Sequence, residues 1–147
     1  MSLEWSQVIT WLVVITGWYV VNDKNNDREK RKEVRSLIDS IQNMLDDIEK
    51  ESIQYHTNKQ SEELSFQIKR NLNNNLSSKV NVLKLRGFEI GKCDKYRKQL
   101  RQAITLKNFD TNDFQPQAFS SEIIRDILIS KGNFINEIEK CFSKNYK

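Results

Sequence analysis

The chain has one histidine, one proline, two cysteines and four glycines among 147 residues. One histidine and two cysteines cannot complete a four-ligand Cys/His zinc site within a single chain. No glycine-rich phosphate loop, catalytic triad pattern, Glu-x-x-His pair or cofactor fingerprint is visible. The scarcity of proline and glycine excludes collagen-like, Pro-rich and turn-dense all-β chains. These gaps predict a non-enzymatic, all-α protein with no cofactor and no metal. His56 has no evident catalytic partner beside it and reads as a helix-end residue. The carboxylates Asp46, Asp47, Glu49 and Glu51 read as the polar face of an amphipathic helix.

Charge is missing from one place in particular. Residues 1–21 carry a single charged side chain, Glu4, whereas the remainder holds all 24 Lys and Arg. The run from Leu3 to Val21, LEWSQVITWLVVITGWYVV, is 19 residues. At ~1.5 Å per residue it would cover roughly the ~30 Å hydrocarbon core of a bilayer. Trp5 lies at one end and Trp18 with Tyr19 at the other, where amphipathic rings favour the headgroup level, and Trp11 lies mid-span. The reading is a single N-terminal transmembrane helix, residues 1–22, with Trp5, Trp11, Trp18 and Tyr19 as membrane-anchor residues.

Lys24, Arg28, Lys30, Arg31, Lys32 and Arg35 follow the run, and no Lys or Arg precedes it. The positive-inside rule then predicts an external N-terminus and a cytoplasmic C-terminal part, in the inner (plasma) membrane. Acids are interspersed, so residues 23–35 form a basic juxtamembrane segment of net charge only +2. A cleaved signal peptide is not predicted, because no basic residue leads the run and the first alanine is Ala103. In a cytoplasmic domain Cys93 and Cys141 are expected to be reduced thiols.

Within the apolar run, Ser6, Thr10 and Gly17 fall on one helical stripe with Val13, a face on which helices in a bilayer could approach closely. Beyond it, Val34, Ile41, Ile48 and Tyr55 recur every seven residues, with Leu37 and Met44 in the second seam position. Ser6, Thr10, Gly17, Val34, Leu37, Ile41 and Ile48 are therefore the candidates for self-association.

Residues 36–147 read as a cytoplasmic helical domain, a bundle or set of antiparallel hairpins. A turn is predicted around Tyr55 to Ser61. A second helix follows on Leu64, Ile68, Leu72, Leu76, Val80 and Leu83, with a break expected near Asn73 to Asn75. A third runs from about Lys92 to Lys107. Asn108 to Phe119 reads as a loop whose Phe109, Phe114 and Phe119 cover the end of the bundle. Ser120 or Ser121 caps a fourth helix with Ile123, Ile124, Ile127, Leu128, Ile135, Ile138 and Phe142 inward and a split expected at Gly132.

Charge is also segregated here: net −5 over residues 36–63 and net +6 over 79–101. The simplest account pairs the acidic and basic helices. The basic segment, Lys79, Lys84, Arg86, Lys92, Lys95, Arg97, Lys98 and Arg101, is also a candidate anion-binding stretch. It lacks any nucleic-acid motif, so a solvated helix face is a plainer reading than nucleic-acid binding. The layout resembles that of small single-span bacterial inner-membrane proteins with a helical tail, a likeness of architecture alone. The partners expected are the lipid bilayer and a protein partner or homo-oligomer. The functional expectation is a membrane-anchored interaction or scaffold module. The alternative is a membrane-acting effector of the toxin or abortive-infection type.

Overall fold

The computed structural model describes residues 2–146, and among them there is no strand. Helix α1 is Ser2–Thr57. Helix α2, Glu62–Arg70, continues through a π-helical stretch, Asn71–Asn75, into α3, Leu76–Leu85. Helix α4 is Cys93–Thr105 and α5 is Glu122–Asn145. The class is all-helical, as the sequence predicts. The chain divides into two compact units, Met1–Val34 and Arg35–Lys147.

The first unit is helical, and every residue from 5 to 33 is exposed. No helix of the described residues is long and apolar enough to cross a membrane. The transmembrane expectation is therefore unsupported by the fold. The physical reason is dilution: Ser6, Gln7, Thr10, Thr16 and Gly17 interrupt the apolar run, and Asn22 and Asp23 end it.

The second unit holds an extensive core. Ile38, Ile41, Leu45, Ile48 and Tyr55 of α1 are buried, on the three-and-four spacing of one helix face. Ile68, Leu72, Leu76, Val80 and Leu83 form the matching stripe along the α2–π–α3 rod. Leu100 and Ile104 of α4 complete it with Ile124, Ile127, Phe134, Ile138 and Cys141 of α5. Helices α4 and α5 pack against each other most extensively.

Local sequence explains the ends. Ser61 Oγ accepts from the Leu64 amide at 3.3 Å and Ser121 Oγ from the Ile124 amide at 3.4 Å, so both are N-caps, each contributing about 1 kcal/mol. Helix α3 closes with two backbone bonds, Phe88 N–H to Leu83 O at 3.1 Å and Gly87 N–H to Lys84 O at 2.9 Å. Gly87 has φ +74°, which a side chain would disfavour, and Phe88 tucks into the core behind it.

Three local expectations change. The asparagine run does not break the rod. Its side chains find partners instead: Asn75 Nδ2 donates to Asn71 Oδ1 at 2.8 Å, and Asn71 Nδ2 to Glu51 Oε2 of α1 at 2.9 Å. The backbone accommodates the run by widening to a π turn. Gly132 does not split α5, which is continuous through it. Leu128 faces solvent and Ile123 and Ile135 are only half-buried, because the α5 stripe is set by Ile124, Ile127, Phe134, Ile138 and Cys141, with Phe134 fully buried.

The α1 seam is consumed by the chain's own packing. Val34, Ile41 and Ile48 have no exposed surface and Leu37 is half-buried, so these positions are not free to zip to a second copy. Two of the α1 acids, Asp46 and Glu49, are met by α5 rather than by segment 79–101. Lys131 Nζ contacts Asp46 and lies 2.8 Å from Glu49 Oε2. Arg35 Nη1 lies 2.8 Å from Glu139 Oε2, and Gln42 Nε2 donates to Glu139 Oε1 at 2.6 Å.

Candidate functional site

Residues 5–21 form the first candidate. Trp5, Trp11, Trp18 and Tyr19 are 67–71% exposed, and Val8, Ile9, Leu12, Val13, Val14, Ile15, Val20 and Val21 are all exposed with them. These side chains point to every side of the helix, not to one face. The hydroxyls among them are turned inward: Thr10 Oγ1 donates to the Ser6 carbonyl at 2.8 Å, and Thr16 Oγ1 donates to the Leu12 carbonyl. Such back-bonding satisfies a hydroxyl without water. A Cβ on Gly17 would meet nothing within 4 Å. The stripe of Ser6, Thr10 and Gly17 is accordingly open.

The basic segment is divided by the fold. Lys79, on α3, donates to Ser40 Oγ of α1 at 2.6 Å. Lys84 bonds Asp94 Oδ2 at 2.7 Å. Arg86, Lys92 and Lys95 are exposed at other points around the α3–α4 turn and the start of α4. Only Arg97, Lys98 and Arg101 converge. With Leu72, Asn73, Ser77 and Asp94 they line a groove of about 490 Å³ between the π-helical stretch and α4. Arg97 is held in place there: Nη1 donates to Ser77 Oγ at 2.7 Å, and Nη2 lies 3.3 Å from Asp94 Oδ1.

His56 stands in the last turn of α1, as a helix-end residue, and that end lies inside the bundle. It is fully buried, with Nε2 3.0 Å from the Ile104 carbonyl oxygen and Nδ1 without a partner. Burial holds its pKa below the ordinary value, only partly opposed by the Ile104 hydrogen bond. The adjacent Tyr55 ring packs on Phe109 and Phe114, with centroids 4.6 and 5.5 Å away. These two phenylalanines close the bundle end as expected, whereas Phe119 is exposed.

Asp110 is the residue that sequence reasoning missed. Its carboxylate accepts from Tyr55 Oη at 3.2 Å and Ser65 Oγ at 2.8 Å, and pairs with Lys69. The Asp110 amide donates to Tyr55 Oη at 3.0 Å, and the backbone sits at φ +50°. Burial works against ionisation, but Lys69 and Ser65 overcome it and hold the carboxyl below its usual range. An acid between phenylalanines in a loop is the only hint in the sequence. The arrangement ties the loop to α1 and α2, which is a structural role.

Cys93 and Cys141 are 48 positions apart in sequence, yet both are buried as free cysteines close to each other, and the Cys141 thiol donates to Glu137 Oε1 at 4.0 Å. Burial, with Cys141 and Glu137 nearby, pushes the Cys93 thiol up to about 12. Among the described residues no group of three or more His, Cys, Asp or Glu is arranged to hold a metal ion. No family model matches the chain, and no curated protein or solved structure matches it either.

Proposed function

We propose that the chain is a membrane-anchored helical interaction module. Residues 5–21 bury themselves in a lipid bilayer, and the helical unit 35–147 engages a protein partner at the membrane surface, on the side that carries Lys24 to Arg35.

The observation behind this reading is the all-round exposure of the apolar segment, three tryptophans included. Soluble chains rarely expose contiguous apolar area beyond a few hundred Å². Each fully covered Val, Ile, Leu or Trp would contribute roughly 1.5–3 kcal/mol on leaving water. The hydropathy deficit of the segment comes partly from Thr10 and Thr16. Their hydroxyls already bond backbone carbonyls, which reduces the cost of moving them into lipid. The bases after the segment favour the cytoplasmic leaflet.

The partner-binding part rests on the α4–α5 face. Leu106 and Ile129 are 71% and 54% exposed and line one groove of about 370 Å³ with Gln99, Ala103 and Ile123. Exposed apolar groups around a concavity with a polar rim suit a protein partner. Vesicle flotation tests the anchor. The intact chain should float with neutral phosphatidylcholine vesicles and resist alkaline carbonate, and a Val13→Asp, Ile15→Asp variant should remain in the soluble fraction. Flotation of the variant at the level of the parent would overturn the reading.

A further inference from the structure

The geometry points to a phosphate-binding site in the groove between the π-helical stretch Asn71–Asn75 and α4. Its ligand is a compact phosphate ester, either a free small molecule or the headgroup of a lipid phosphate.

The groove brings together polar side chains from three elements. Asn73 comes from the π turn, Ser77 from α3, and Arg97, Lys98 and Arg101 from α4. On α4 the positions 97, 98 and 101 fall on adjoining faces, being one, three and four residues apart, so the three cations stand together by helical geometry alone. The one acid present, Asp94, is already engaged by Lys84 and Arg97. Lys98 and Arg101 make no ion pair among the described residues, and both are exposed. The lining is therefore rich in donors and carries more positive than negative charge.

Arg97 is preorganised. Ser77 and Asp94 fix its guanidinium between α3 and α4 with two of its five N–H donors engaged. A planar guanidinium held in place is suited to bidentate contact with phosphate oxygens. Leu72 is buried and gives the groove an apolar floor. The volume of about 490 Å³ lies in the range of small-ligand sites, too large for a lone ion and suited to a phosphate with an organic group attached. The π turn adds an independent sign. Such turns are rare and recur at functional sites, and this one is the wall opposite the three cations. The inference stands whether or not residues 5–21 enter lipid.

NMR on the full chain in neutral bicelles tests it, reading the Arg97 Nε–H and Asn73 side-chain amide signals. In one arm glycerol phosphate is titrated in; in the other the bicelles are doped with phosphatidic acid. Saturable shifts in the first arm assign a soluble phosphate ester. Shifts confined to the second assign a lipid headgroup. In either case the Lys98→Ala, Arg101→Ala variant, whose exposed positions leave the core untouched, should weaken the apparent affinity at least tenfold. Absence of shifts in both arms overturns the site. So do shifts that fail to saturate or are equal in the variant, because they would report diffuse charge.

Discussion

His56 Nε2 of α1 lies 3.0 Å from the Ile104 carbonyl oxygen of α4, and the ring between them and the core has no exposed surface. A carbonyl can only accept, so the ring must carry its proton on Nε2. Nδ1 is then a bare acceptor in the core, and Ser52 Oγ, one helical turn earlier, is likewise buried without a partner. Among the contacts that hold the ring, Ile104, Tyr55 and Phe109, no carboxylate is present to accept a hydrogen bond from a second proton on Nδ1.

This arrangement predicts acid sensitivity with a defined sign. In the unfolded chain His56 takes up a proton near its ordinary pKa of about 6.5. In the folded chain burial lowers that value. Below about 6.5 the unfolded state binds more protons, so stability is complete above that pH and falls as pH drops toward the folded value. The slope contributed cannot exceed about 1.4 kcal/mol per pH unit. Denaturation of the parent and a His56→Phe variant between pH 7.5 and 5 should show a pH-dependent loss in the parent that is flatter in the variant. Asp110, whose pKa is also lowered, acts in a separate and more acidic window.

The buried thiols should be inert. With Cys93 pushed up to about 12, its thiolate at neutral pH is about a thousandfold scarcer than that of a free thiol. Iodoacetamide labelling followed by mass spectrometry should find Cys93 unmodified in the native chain and rapidly modified in denaturant. Native-state labelling of Cys93 at the denatured rate would contradict the packing described.

Ion pairs in this chain should differ in worth according to burial. The Lys131 side chain is 14% exposed and bridges Asp46 and Glu49, and these acids outweigh burial to raise its pKa. The Lys107–Glu122 pair is separated by 3.4 Å and exposed on both sides. Lys131→Ala should cost about 1–3 kcal/mol, since two acids lose their cation. Lys107→Ala should cost no more than about 1 kcal/mol. Urea midpoints of the two variants compare them directly.

Two glycines should respond in opposite directions. A Cβ at Gly91 would sit 2.8 Å from Glu137 Oε1 and 2.9 Å from Cys141 Sγ, on a backbone with φ +51°. Gly91→Ala should therefore destabilise by about 1 kcal/mol or more. At Gly132 a Cβ meets nothing within 4 Å and the backbone is helical. Gly132→Ala should stabilise by about 0.5–1 kcal/mol. Thermal melts of the two variants measure both.

Periodicity made much of the fold legible. The Ile41, Ile48, Tyr55 repeat, the stripe from Ile68 to Leu83 and the Ser121 cap are local patterns, and each appears where its spacing places it. Features that depend on partner helices were not legible. Whether Leu128 or Phe134 faces inward depends on the phase of α5 against its neighbours, and both are apolar. The asparagine run carried a helix-breaking propensity, but Glu51, across from it on α1, gave Asn71 a partner that no local window contains. The site was legible in part: helical spacing alone sets Arg97, Lys98 and Arg101 on adjoining faces, but only the fold sets Asn73 and Ser77 opposite them. Asp110 acquires its role from Tyr55, Ser65 and Lys69, none of them near it in sequence.

All three tryptophans of the chain lie at positions 5, 11 and 18, so selectively excited tryptophan fluorescence reports on the proposed anchor alone. Single-tryptophan variants, with the other two replaced by phenylalanine, can be placed in vesicles whose lipids carry bromine at shallow or deep acyl positions. Burial of residues 5–21 in the bilayer predicts that Trp11 is quenched most by deep bromines and Trp5 and Trp18 by shallow ones, with all three shielded from aqueous acrylamide. Equal depths for the three, or acrylamide access unchanged by vesicles, would contradict it.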